Sequence, residues 1–147
     1  MIKQLPLVLF THQQDYFALE ASLVKGQGSC AFKDSNTPLL PFNQFLKPGS
    51  QQPGSPSHWL ALASHSPDAS KVKPWLLGLE SEAELIELPA ERIHPLPPLL
   101  LAGRTFPALQ AVAWYQQRLV SLIDARALQV QAHPWLASLT LDANQGD

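Results

Sequence analysis

Leu7-Val8-Leu9-Phe10 is a short apolar run that His12-Gln13-Gln14-Asp15 interrupts and Tyr16-Phe17-Ala18-Leu19 resumes, a pattern that predicts two strands joined by a polar turn. The same rhythm recurs along the chain. Strands are predicted over Leu39–Phe42, Trp59–Ala63 and Trp75–Leu79, while Ala83–Leu88 alternates imperfectly and reads as either a strand or one helical turn. Ile93-His94-Pro95-Leu96-Pro97-Pro98 is extended, because a residue before proline is pushed toward β or polyproline geometry. Leu109–Trp114 and Leu119–Ile123 flank Tyr115-Gln116-Gln117-Arg118, a hairpin turn without the usual glycine. Asp124 caps a short helical turn over Ala125–Leu128. The tail is open between two readings: Pro134 suits the first position of a short helix, while Leu139 and Leu141 alternate like a strand.

Fourteen prolines in 147 residues cut the chain into short elements, so long helices are expected to be scarce. Pro48 to Pro56 and Ser64 to Pro74 read as polar loops, and the first, near 47–57, is the expected boundary between halves. Many short strands with turns between them indicate an all-β barrel or sandwich.

Two patterns occur twice in the same order. Ala18-Leu19-Glu20-Ala21 is echoed by Gly78-Leu79-Glu80-Ser81, and Leu39-Leu40-Pro41-Phe42-Asn43 with Phe45-Leu46 is echoed by Leu119-Val120-Ser121-Leu122-Ile123-Asp124 with Ala127-Leu128. Such pairing predicts two half-domains of like topology.

Composition narrows the function classes. A net charge of −2 and a pI near 6.2 lack the basic footprint of a nucleic-acid or anionic-membrane binder. No apolar run reaches the length of a membrane span, and the first residues lack a secretory pattern, so a cytoplasmic location is expected. One cysteine, Cys30, allows no internal disulfide and reads as a small core residue.

Candidate chemistry is sparse. His12, His58, His65, His94 and His133 form no closely spaced pair of the kind metal sites use, so no metal is expected. Gly26-Gln27-Gly28 lacks the Lys and Ser/Thr of a phosphate loop and reads as a tight turn, and no other cofactor motif is present. Without a Gly-x-Ser-x-Gly elbow, the rival enzymatic reading is a small hydrolase built on His94, Asp124 and a serine. Glu80, Glu82 and Glu84 would line one strand face, solvated or serving as a docking face for a basic partner. Trp75 and Trp114 are assigned to the core, as are Trp59 and Trp135, for which an interface role is the alternative.

In their order, these segments resemble the CheW-like family, the adaptor domains of bacterial chemotaxis signalling. Ile93-His94-Pro95-Leu96-Pro97 resembles the family's proline-rich bridge, Gln110–Trp114 the strand after it, and Leu119–Asp124 with Leu128 the apolar run closing on Asp. Gly78-Leu79-Glu80 resembles a Gly-Leu-x-Val-Asp edge, Tyr16–Glu20 an aromatic-x-Ala-Leu-Pro strand, and Pro41-Phe42-Asn43 with Leu46 a Pro-Val-x-Asp-Leu strand end. Phe32–Thr37 has neither the Arg nor the Gly of the family's usual turn, and Val24–Ala31 is short, which marks a divergent member.

The resemblance implies a single domain, 1–147, of two packed five-stranded β-barrel lobes, with elements of 7–57 and 100–128 in one and of 58–99 in the other. It implies a non-catalytic adaptor without cofactor that couples a CheA-type histidine kinase to chemoreceptors or motility receptors. By family position, a groove between the lobes would involve Leu40, Phe42 and Val120, with polar support from Lys33 and Asn43. A homo-oligomer, or an oligomerisation module that has lost its signalling partners, is the remaining alternative.

Overall fold

The computed structural model describes residues 3–30, 37–46, 56–62, 75–103 and 106–145. Ten strands among these residues run in the order β1 (Gln4–His12), β2 (Asp15–Glu20), β3 (Val24–Ser29), β4 (Leu39–Pro41), β5 (His58–Leu62), β6 (Trp75–Leu79), β7 (Glu84–Pro89), β8 (Ile93–Pro95), β9 (Leu109–Tyr115) and β10 (Arg118–Ile123). The α-helices among the described residues are α1 (Phe42–Leu46), α2 (Pro98–Gly103) and, after the last strand, α3 (Ala125–Gln145). The architecture is mostly β in two sheets, as the strand-turn rhythm requires.

The sheets hold six and four strands, in the orders β7-β1-β2-β10-β9-β8 and β3-β5-β6-β4. The expected two strand-built lobes are thus present, with six and four strands among the described residues. Residues 24–79 supply the smaller sheet and the flanking segments the larger.

The large sheet is rolled. Its outer strands β7 and β8 are joined by one 3-10 turn, Ala90–Arg92, so Pro89 and Ile93 stand within about 14 Å of each other. All six strands contribute to one interior: Leu7, Leu9, Ala18, Ile86, Leu88, Ala111, Ala113, Val120 and Leu122, with Ile93 packed against them. The opposite face of β1, β2 and β10 supplies Val8, Phe10, Phe17, Leu19 and Ile123 to a second core, shared with Leu40, Leu60, Leu62, Trp75, Leu77 and Leu79 of the small sheet. Strands that bury both faces read as continuous apolar runs, which explains Leu7–Phe10 and the wholly buried β6.

The sequence echoes occupy matching places. Residues 18–21 and 78–81 lie at the ends of β2 and β6, each the second strand of an antiparallel pair, β1-β2 and β5-β6. Residues 39–46 are β4 followed by α1, and residues 119–128 are β10 followed by the start of α3. The pairing is reciprocal: β4 joins β6 in parallel and β10 joins β2 in parallel, while β3 pairs with β5 and β7 with β1. Each hairpin is therefore completed by strands from the other half.

Several local expectations change. β4 stops at Pro41, and Phe42 begins α1, where Phe42 and Phe45 both turn into the core. Ala83–Leu88 resolves as strand β7. Gly26-Gln27-Gly28 lies inside β3 rather than in a tight turn. The expected turn at Ala125–Leu128 is the start of a 21-residue helix that runs through Pro134. Asp124 caps it, its Oδ1 accepting from Arg126 N–H at 3.0 Å. Ala125, Leu128 and Ala132 set a helical stripe into the core, with Trp135 and Leu136 packed beside it, and Gln131 Nε2 donates to the Phe45 carbonyl at 3.0 Å. Burial of that stripe outweighs the one hydrogen bond that Pro134 removes. Residues 47–55 and 63–74, where polar loops are expected, and Lys33 lie outside the described residues.

Candidate protein-interaction surface

The residues expected to form a groove lie elsewhere. Leu40 and Phe42 sit in the core between the sheets and Val120 in the interior of the rolled sheet, each at most 4% exposed. Phe42 meets the rings of Phe10, Phe17, His12 and Phe106 at centroid distances of 4.8 to 6.0 Å. None of the three has surface to give a partner. Asn43 is half-buried on α1 and keeps some.

Polar groups concentrate where the first hairpin meets the end of β6. Buried His12 places Nδ1 3.4 Å from Glu80 Oε1, and Gln13 N–H donates to Glu80 Oε2 at 3.4 Å. Thr11 Oγ1 and Ser81 Oγ are 2.9 Å apart. Glu80 thus ties the two sheets together instead of joining Glu82 and Glu84 on a strand face; of the three, only Glu84 lies in β7.

A serine-histidine contact lies beside this junction, in the wrong sense for an activated nucleophile. Ser57 Oγ donates to the Glu80 carbonyl at 2.7 Å, so His58 Nδ1, 2.9 Å away, is left as the donor to Ser57. In the expected hydrolase set, Asp124 caps α3 and His94 is exposed on β8, opposite Val112. Among the described residues, no group of three His, Cys, Asp or Glu could hold a metal ion, and no helix is long and apolar enough to cross a membrane.

Apolar surface appears on β9 and β10. Trp114 and Leu119 are cross-strand partners, 56% and 50% exposed. Trp114 was expected in the core; its neighbours Ala111 and Ala113 face the interior, and strand alternation turns Gln110, Val112 and Trp114 outward. On the inner side of the same end, the Arg118 guanidinium lies 4.9 Å over the Tyr16 ring and donates to its hydroxyl. The other tryptophans are more covered. Trp75 is buried, Trp59 half-buried over β3, and Trp135 half-buried with its ring 5.2 Å from that of Phe45.

Comparison with solved structures supplies the fold. The scaffolding protein TtCheW from Thermoanaerobacter tengcongensis superposes with a TM-score of 0.60 at 14% identity, covering 82% of this chain and 89% of that one. The fold is that of a CheW scaffold. No protein-family model matches the sequence, and no curated protein does. The fold is thus shared with TtCheW at low sequence identity.

Proposed function

We propose that this chain is a non-catalytic adaptor of a chemotaxis-like or motility signalling system, a single two-lobed domain that couples a CheA-type histidine kinase to receptors in the cytoplasm. The observation that carries this reading is the superposition on TtCheW over most of both chains. The side chains agree with it: the Ser57-His58 contact and the Asp124 carboxylate are committed to structural bonds. A β body with Trp114 facing outward works through surface contacts, where a few anchors dominate.

Binding assays with the kinase regulatory region and receptor signalling tips from the same genome test the proposal. Recovery of both, and of a ternary complex stronger than either pair, is the expected result. Recovery of neither, where another adaptor from that organism is recovered, overturns it.

A further inference from the structure

Residues 3–46 do not complete a sheet among themselves. Among the described residues of that segment the one internal strand pair is β1-β2, and an isolated hairpin is marginal in water. Each of its strands pairs with one that lies beyond residue 56: β1 with β7, β2 with β10, β3 with β5 and β4 with β6. Side chains cross the same divide. The Phe45 ring packs on those of Trp75 and Trp135, His12 Nδ1 lies 3.4 Å from Glu80 Oε1, and Trp59 Nε1 donates to the Ser29 carbonyl.

A single covalent crossing joins the two segments. It is Lys47-Pro48-Gly49-Ser50-Gln51-Gln52-Pro53-Gly54-Ser55, which carries no large apolar side chain. From Leu46 to Pro56 such a stretch reaches at most about 36 Å, enough to pass from one small domain to its neighbour. Strand register and core packing between the segments are the same whether both belong to one chain or to two. A swapped pair makes every such contact twice, so the outcome turns on the effective concentration of the tether, of about millimolar order, against the concentration of chains.

We infer that β5, β6, β7 and β10 receive the first segment of a second copy of this chain, giving a strand-exchanged dimer in which residues up to 46 of each copy dock on residues from 56 of the other. The occupant is fixed by the pairing itself, since the segment that fits these strands is the chain's own. Return to monomer requires all four cross-segment pairings to open, so the dimer, once formed, is long-lived. This inference is independent of the adaptor reading.

Refolding the full chain from urea at about 1 μM and at about 0.5 mM, each followed by sedimentation velocity at about 1 μM, tests it. The dimer share should be at least about tenfold larger after the concentrated refolding, should persist for hours on dilution, and should vanish when that sample is unfolded and refolded dilute. Monomer alone after concentrated refolding overturns the inference. So does a dimer that falls apart on dilution, which would be a surface contact.

A second measurement uses two core variants. Leu19→Asp and Leu77→Asp each put a carboxylate at a fully buried position, one in each segment, so either variant refolded alone should lose the near-ultraviolet circular dichroism of the packed core. Refolded together at about 0.5 mM, they should form a dimer with one unit built from the two unaltered segments, returning up to about half of the native signal. A mixture with no more native signal than the two variants apart overturns the inference.

Discussion

The indole of Trp59 lies so close over Gly28 that a Cβ on residue 28 would stand 2.6 Å from Cζ2 and 2.9 Å from Cε2. The two are cross-strand partners, and Trp59 Nε1 donates to the Ser29 carbonyl at 3.2 Å, which fixes the ring in place. Gly28 is therefore required by close approach rather than by backbone conformation. Gly28→Ala is expected to cost about 1–3 kcal/mol in urea denaturation, and much less in a Trp59→Ala background. Equal costs in both backgrounds would show that the ring is not the obstacle.

Both long hairpins of the large sheet turn on a Gln-Gln pair in the left-handed region, with φ of 51° and 77° at Gln13 and Gln14 and of 49° and 66° at Gln116 and Gln117. This is the signature of a type I′ turn, normally supplied by Asn-Gly. Replacing either pair by Asn-Gly is expected to stabilise the protein by about 1 kcal/mol, read as a higher melting temperature. No gain would mean that the glutamine side chains return what the backbone loses.

Phe42→Ala should destabilise by about 3–5 kcal/mol, because the ring packs among four aromatic neighbours. Asn43→Ala should change stability by less than about 1 kcal/mol. Partner binding lost in the Phe42 variant should therefore follow the unfolded fraction, measured by circular dichroism on the same sample. Loss of binding by fully folded Phe42→Ala would return that residue to the contact surface.

Pro134 stands inside α3 with no N–H to give to the carbonyl of Val130. Pro134→Ala is expected to raise stability by about 1–3 kcal/mol and to slow hydrogen exchange in the following turn. A fall in stability would indicate that the packing of Trp135 on Phe45 needs the proline geometry.

Strand periodicity made most of the β framework legible. Leu7–Phe10, Tyr16–Leu19, Trp75–Leu79 and Leu119–Ile123 fall within observed strands, and the two echoed motifs fall at equivalent positions. Membership of a sheet was not legible, because the residues that pair β3 with β5 or β10 with β2 lie far apart in sequence and carry no local signal. Leu40, Phe42 and Val120 were apolar positions in the right elements, but apolar character does not separate a groove from the core beneath it. The length of helix α3 was not legible, because Pro134 suits a helix start and Leu139 and Leu141 a strand, whereas Ala125, Leu128 and Ala132 set one continuous stripe into the core. Trp114 was misplaced for a similar reason: ring size suggests burial, whereas the alternating alanines of β9 decide the direction.

Reciprocal strand exchange bears on how the chain is made. A ribosome delivers β1 and β2 some hundred residues ahead of β10, which pairs with β2, and delivers β3 and β4 before β5 and β6 exist to receive them. At about 5–20 residues per second, the first hairpin waits for seconds with an open edge. Neither sheet can close on the emerging N-terminal half alone, so native structure should arise only after most of the polypeptide has left the exit tunnel, and holding chaperones should find their targets in that interval.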